Sequence, residues 1–496
     1  MVGKRKPQQV SFDSPVITAP HTRASELLRA INELIDLGFV RAMAEPYFAA
    51  SGRPSIDPVV MLKMMLVGYL FGIESDRRLV DECADRLSFR EFLGYLSDEP
   101  LPVHASFTHW RQRLGPEFFR EVLHEIVRQC QGHGMKLSGA RCVDGTRVKA
   151  QASRGGPVIE VPRDADVAQY LEEYFAHDPP PEPPEPDDDG TDAADHDAGP
   201  EAVDSLPINT HDPEARLQGR PGERAEFEYT ASIASDPESS LVTDATAHAR
   251  EQAATALDHI DHDPGSVTEF AGDTLYDHAD TLAALQQRGV TCYVPEPARP
   301  RNAPLGKEQF RYDPVRDVYI CPAGKLLKWS RYHKQRRANF YTAKVSDCKH
   351  CPLKSQCTTA DRRSVSRLVN EPARAATVRA GPRFEHLQRR RWVNEHLNMV
   401  AKRDHALSRA RGLGLAAMRI QVALVGAAID LKKLVHYAWA QAEAQSQLLS
   451  SPRRLFAALS AAIWRTWRSQ RATPPATLTQ PARHTNYQSA SAGAAS

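Results

Sequence analysis

The chain has almost no net charge, few cysteines for its length and no long apolar run, and each shortage removes a class of protein. Lys and Arg number 63 against 62 Asp and Glu, a formal charge of +1 over 496 residues, so no whole-molecule field marks a polyanion binder. Eight cysteines in a chain this long are not a disulfide framework. The longest near-apolar run, Pro58 to Phe71, is interrupted by Lys63 and falls short of the roughly 20 residues that span a bilayer. The opening MVGKRKPQQV has no apolar core after its basic residues. A cytoplasmic protein with no membrane partner is expected. What remains is ordinary for a globular protein, 41% hydrophobic and 25% charged, with length for two to four domains.

The near-zero charge conceals a segregation. Asp164 to Asp204 holds 15 acids and no Lys or Arg, whereas Arg301 to Ile420 holds 27 Lys or Arg against 9 acids, a local excess of 18. One block repels polyanions and the other attracts them. The basic stretch is the electrostatic footprint of a phosphate-backbone binder, although such runs also occur as plain solvated surface.

The first region reads as all-helical. Leu27, Leu28, Ile31, Leu34 and Ile35 fall at helical spacing with Gly38 as a stop. Asp57 caps and Pro58 opens a second helix that is apolar on nearly every face. Leu79 to Tyr95 continues helical, Pro100 and Pro102 force a break, and His104 to Leu114 begins a short helix with Ser106 as cap. Its Ser106, Thr108, His109, Arg111 and Arg113 have the composition of a helix-turn-helix reader; an ordinary surface helix is the alternative. From Gly139 the pattern changes to strands, among them a hairpin from Phe227 to Ala247. The order strand, strand, strand, helix, strand, helix, strand implies a mixed α/β sheet with helical cover. The acidic, Pro-rich stretch 164–204 cannot pack a core and is expected to be disordered apart from a short helix near Val167 to Phe175.

Two constellations carry chemistry. Cys321, Cys348, Cys351 and Cys357 have the C-x2-C-x5-C spacing, plus one upstream cysteine, that suits a tetrahedral structural zinc site; reduced thiols are the alternative, and His350 is a substitute ligand. The other four cysteines sit singly in expected helices and strands. Asp144 and Asp273 end the first and fourth strands, which a sheet of this order sets side by side, and Glu395 lies on a later helix that can cover them. Such a cluster can hold two divalent cations, Mg2+ or Mn2+, about 4 Å apart at a phosphodiester. Asp at a strand end is also common turn chemistry. Arg391 lies one turn before Glu395 and Lys402 two turns after, on one face, where they can hold DNA phosphates or merely form an ion-pair row. His405, Arg409 and Arg411 extend the basic surface.

Gly52-Arg-Pro-Ser-Ile-Asp-Pro58, Arg77-Arg-Leu79, Phe107-Thr-His-Trp-Arg-Gln-Arg-Leu-Gly115, Val143-Asp-Gly-Thr-Arg-Val-Lys-Ala-Gln-Ala-Ser153, Asp212-Pro-Glu-Ala-Arg216, Gly272-Asp-Thr-Leu-Tyr276 and Asp430-Leu-Lys-Lys-Leu434 are together similar to the landmarks of DDE-type transposases of bacterial insertion sequences. The resemblance covers roughly residues 21 to 440. It implies a multidomain chain: an all-α N-terminal domain followed by an α/β RNase H-like domain with a mixed sheet and two insertions. The expected division is a flexible leader 1–20, a helical DNA-binding domain 21–130, a catalytic domain 137–163 and 205–300 with final helices 375–448, an acidic insertion 164–204, a basic four-cysteine insertion 301–374, and a C-terminal helix and loose tail 449–496. It further implies Asp144, Asp273 and Glu395 as the metal-binding triad and Arg391, Glu395 and Lys402 as the matching helix signature. The implied partners are double-stranded DNA, as transposon ends and target, and further copies of the chain, a homodimer or larger assembly on DNA, in a nucleoid-associated location. Gln388 stands where many relatives carry Tyr, and Asp430 where they carry Asn. A transposon-derived DNA-binding protein without strand transfer, or a nuclease of the same fold, are the competing readings.

Overall fold

The computed structural model describes residues 1–5, 19–163, 165–176, 205–219, 222–250, 253–297, 305–334 and 337–450. Most of the expected leader, most of the acidic insertion and the tail after 450 therefore lie outside the described residues. The chain divides into two units, Met1–Val435 and His436–Ser496, and only the end of one helix is described in the second.

The N-terminal region is helical, as expected: α1 (Arg23–Leu34), α2 (Phe39–Ala44), α3 (Pro58–Leu70), α4 (Asp76–Asp85), α5 (Leu87–Leu93) and α6 (Ala105–Gly132). Gly38 does not stop the first helix; it precedes α2, and α1 ends at Leu34. In α3 only Val59 and Lys63 escape full burial, because the apolar residues leave no polar face to turn outward. Asp57 accepts the Val59 amide at 3.0 Å and pairs with Arg41 at 2.9 Å, so the cap is also one half of a half-buried ion pair. The short helix expected after Pro102 is the first third of α6. Ser106 is not its cap: His104 occupies that position, with no side-chain cap hydrogen bond, and Ser106 lies inside the helix. The break comes at Gly115, whose φ of 73° is open to glycine, followed by Pro116.

A mixed six-stranded sheet follows. Its strands are β1 (Ala140–Lys149), β4 (Arg216–Gln218), β5 (Glu226–Ser235), β6 (Val242–His248), β7 (Glu269–Ala271) and β8 (Thr291–Tyr293). The order is β4-β5-β1-β7-β8, with β6 also on β5. β1 is antiparallel to β5 and parallel to β7. A two-stranded ribbon, β2 (Val158–Pro162) against β3 (Ser205–Asn209), closes the base of the acidic insertion, whose described part contains α7 (Val167–Ala176). Helices α8 (Thr255–His262) and α9 (Ala279–Gln287) cover the sheet around Phe270, Leu282, Leu285 and Val290.

The basic block builds its own antiparallel sheet, β13-β12-β11-β10-β9, from β9 (Arg311–Asp313), β10 (Val318–Ile320), β11 (Leu326–His333), β12 (Ala338–Thr342) and β13 (Ser364–Leu368), with short helices α10 (Val345–Lys349) and α11 (Lys354–Cys357). The chain then returns through α12 (Glu371–Ala375), α13 (Pro382–Arg390) and α14 (Trp392–Asp404) to the long α15 (Gly414–Ser450). By length and composition Gly414–Gln445 could cross a membrane, which the sequence reading missed, but 72% of its most apolar window is buried in the fold. It is a core helix.

The helical region and the sheet share a buried polar junction. Asp244 on β6 accepts from Arg120 of α6 at 2.7 Å, from His124 of α6 at 3.0 Å and from His259 of α8 at 2.6 Å. His259 meets Ser232 at 2.9 Å, the spacing of a hydrolytic triad. Ser232 is fully buried, so no substrate reaches it, and the group is structural. Against the cost of burial, the hydrogen bonds from Arg120, His124 and His259 hold the Asp244 carboxyl well below its usual range.

Candidate active site

Register alone places the first two acids. Cys142 on β1 pairs with Ala271 on β7 in parallel, so two residues further along each chain Asp144 and Asp273 stand level. β7 stops at Ala271, and Asp273 accepts the Leu275 amide at 2.9 Å as the chain turns away. Asp144 does not end its strand as expected. β1 continues to Lys149 because its other edge stays paired with β5 as far as Glu228, which holds the Gly145-Thr146 pair extended.

The third acid arrives on α14, and two asparagines overlooked in the sequence set its position. Asn394, fully buried, donates to the carbonyls of Cys142 at 2.8 Å and Ile233 at 3.0 Å and accepts from Ser235, tying the helix to β1 and β5. Asn398 donates to Asp144 Oδ2 at 2.9 Å. The signal was available: Asn at 394 and 398, one turn apart, on the apolar side with Val393, Leu397 and Ala401. Glu395 is exposed on the adjoining face.

Burial pushes the Asp144 carboxyl up to about 6; Arg391 opposes the shift, while Asp273 and Glu395 add to it. Arg391, Asp273 and Glu395 therefore all lie within electrostatic reach of Asp144. Arg391 stands at the junction of α13 and α14 with helical angles, so the expected one-turn spacing to Glu395 survives the junction. Gln388 turns out to be a tie. Its amide donates to the Tyr293 carbonyl at 3.0 Å and, at 3.4 Å, to that of Gly272, beside Asp273, while its oxygen accepts from Arg391 at 3.3 Å.

Lys402 lies within electrostatic reach of Glu228 on β5. Arg409 is exposed where 408–410 runs beside the end of β1, the Ala410 amide donating to the Lys149 carbonyl at 2.8 Å. His405 and Arg411 do not extend a basic surface. Burial holds the His405 imidazole down to about 4 as it meets the Tyr69 carbonyl at 2.9 Å, and the Arg411 guanidinium lies 3.9 Å from the Tyr69 ring centroid.

In α6, Thr108, His109 and Arg113 are exposed and Ser106 is half-buried. Arg111 differs from expectation: it makes a two-pronged ion pair with Asp76 at 2.6 and 2.8 Å and is mostly buried, because Phe107, Trp110 and Leu114 turn that side of the helix inward.

Cys321, Cys348 and Cys357 border the small core of the five-stranded sheet, and the Lys325 amide donates to Cys321 Sγ at 3.2 Å. Burial pushes the Cys357 thiol up; Arg363 opposes, and Cys348, Cys321 and Cys351 add to it, so the four sulfurs lie near one another. The remaining four cysteines are buried, as expected. Among the described residues no group of three or more His, Cys, Asp or Glu is closed tightly enough to hold a metal ion as it stands. The donor types nevertheless fit: three carboxylates near a single arginine suit a hard divalent cation, and four thiols suit zinc.

Two family models match the sequence: a transposase domain (DUF772) over residues 17–113 and a transposase DDE domain over residues 320–435. The second contains Glu395 and the four cysteines; Asp144 and Asp273 lie outside it. No curated protein matches. Among solved structures, the cryo-EM structure of a piggyBac transposase synaptic complex with hairpin DNA is similar at a TM-score of 0.30 and 8% identity, over 92% of this chain and 82% of that one. With a transposase domain and a DDE domain in this order, the chain is a DDE-type transposase of the insertion-sequence kind, an enzyme of DNA cleavage and strand transfer.

Proposed function

We propose that this transposase binds the terminal inverted repeats of its element and cleaves and joins DNA at Asp144, Asp273 and Glu395, on an RNase H-like sheet interrupted by the acidic and four-cysteine insertions. The observation that carries this reading is the half-enclosed Asp144 carboxyl, raised by burial and by two further acids against the opposing Arg391 charge and the Asn398 hydrogen bond. Divalent cations such as Mg2+, when bound there, would activate the attacking oxygen and stabilise the leaving one at a phosphodiester.

The chain's own residues orient the reaction. Asn398 fixes the Asp144 carboxylate, Gln388 holds both the backbone before Asp273 and the Arg391 guanidinium, and Arg391 and Lys402 present positive charge to the DNA phosphates beside Glu395. Arg409 continues that charge. The exposed Thr108 and His109 suit base contacts and Arg113 a phosphate contact, with Ser106 at the margin. Arg111, committed to Asp76, serves the fold of the helical domain. The four cysteines hold one structural zinc. The enzyme works in the cytoplasm at the nucleoid, as a dimer or larger assembly that brings two ends together.

The test is incubation of the purified chain with labelled end DNA and a plasmid target, with Mg2+ or with chelator. Metal-dependent covalent joining to the plasmid is expected. Metal-dependent cutting without joining would reduce the reading to a nuclease, and specific end binding without either reaction would leave a DNA-binding protein.

A further inference from the structure

The five-stranded sheet carries a surface that neither the carboxylate site nor the cysteines use. From Val318 to Ser346 the sequence holds seven Lys or Arg and no Asp or Glu. In the middle of this stretch, β11 exposes Lys328, Trp329, Arg331 and Tyr332, with Trp329 at 52% and Tyr332 at 48%. Successive side chains of a regular strand alternate, so residues three apart point to opposite faces. Here the register shifts between Trp329 and Arg331: Trp329 pairs with Tyr341 and Tyr332 with Asn339, two residues apart on β12. The extra residue, Ser330, thereby brings both rings to one face.

Asn339 accepts the indole N–H of Trp329 at 3.0 Å, which orients that ring. Arg367 pairs with Asn339 and shares the face. Arg331 takes the reverse face, 5.2 Å over the Phe340 ring. β10 pairs with β11 only as far as Lys328, so beyond that point Trp329, Arg331 and Tyr332 border an open sheet edge.

Two rings about 7 Å apart along a strand, at roughly 3.4 Å per residue, with Arg367 on their face and Asp317 held behind them by the Tyr341 hydroxyl, form a stacking platform beside a phosphate track. We propose that this edge of the five-stranded sheet binds single-stranded DNA, with Trp329 and Tyr332 stacking on its bases and Arg367 and Lys334 drawing its backbone. Duplex DNA offers only base edges in its grooves and gives such rings nothing to stack on. The inference rests on the transposase reading only for the source of the strand, which is DNA opened at the cleaved ends.

The experiment uses the full chain and three probes of equal length: oligo(dT), an abasic oligonucleotide and a blunt duplex, titrated by fluorescence anisotropy at several salt concentrations. Wild type should prefer oligo(dT) to the abasic strand. The variant Trp329→Ala/Tyr332→Ala should weaken oligo(dT) binding by roughly 5- to 150-fold, the range for loss of base stacking, while abasic and duplex binding stay within about twofold and the salt slope is unchanged. Trp329→Phe should recover most of the preference. Arg367→Ala should weaken all three probes and lower the single-strand salt slope by about 0.7. The proposal is overturned if the double alanine variant binds oligo(dT) as wild type does, if it loses duplex binding equally, or if wild type shows no preference over the abasic strand. A change in oligomeric state with no change in DNA binding would also overturn it and assign the edge to a second copy. The same preparations are scored for end joining. Failure of the oligonucleotide result in a chain that joins ends counts against this surface alone, whereas a wild type that joins nothing counts against the carboxylate site.

Discussion

The two sheets of this molecule are held together by different physics. The six-stranded sheet is stitched by buried hydrogen bonds between elements far apart in sequence: Asn394 reaches strands 252 and 161 residues away, and Asn398 reaches Asp144 across 254. Its site concentrates negative charge. The five-stranded sheet has a core of six buried side chains, Phe310, Tyr319, Leu327, Tyr341, Ala343 and Val365, with cysteines at its margin and positive charge outside. A small core of that kind supplies little stability, which is where a metal staple contributes most. The comparison predicts that the acids of the first sheet can be replaced without loss of its fold, whereas removing the thiols of the second loosens its sheet.

The sharpest test removes the acids. Asp144→Asn, Asp273→Asn and Glu395→Gln are each expected to lower single-turnover strand cleavage by roughly a thousandfold or more, with end binding within a few fold and no loss of thermal stability, Asp144→Asn gaining some at neutral pH because its raised carboxyl is removed. If any of them melted the six-stranded sheet, the contrast would be lost. Next, the purified protein should carry about one zinc per chain, and chelation should speed amide hydrogen exchange across Phe310–Leu368 by the equivalent of several kcal/mol while β1 and β5 stay protected. Zinc-free, normally folded protein would return the cysteines to ordinary thiols.

Removing a stitch should cost less. Asn394→Ala leaves the helix carrying Glu395 without its bonds to two strands, and a loss of about 2–3 kcal/mol in urea unfolding is expected. Loss of activity should follow, because Glu395 is placed by that helix. The smallest effect concerns Asp430. Burial pushes this carboxyl up, with Lys433 and the Val242 amide opposing, and its Oδ2 has no hydrogen-bond partner. A raised carboxyl favours the folded state when protonated, and that advantage fades as pH rises from the unfolded carboxylate range near 4 toward neutrality. Asp430→Asn should therefore match wild type near pH 4 and gain on the order of 1 kcal/mol by pH 8 in thermal or urea melts. A gain largest at low pH would reverse the sign and disprove the account.

Sequence by itself determined what short-range chemistry can encode. The apolar helix at Pro58 with its Asp57 cap, the hairpin from Phe227 to Ala247, the strand-helix alternation after Gly139 and the segregation of charge follow from periodicity, capping and turn residues acting over a few positions. The adjacency of the strand that carries Asp144 and the strand that leads to Asp273 also followed, from the order of strands and helices. Tertiary structure decided the rest. It extended β1 past Asp144 through pairing with β5, buried Arg111 against Asp76, and drew His405 and Arg411 inward to Tyr69. It also gave Asn394, Asn398 and Gln388 their work as ties. Each of these depends on a partner tens to hundreds of residues away, and a polar side chain carries the same letter whether water or a buried carbonyl satisfies it.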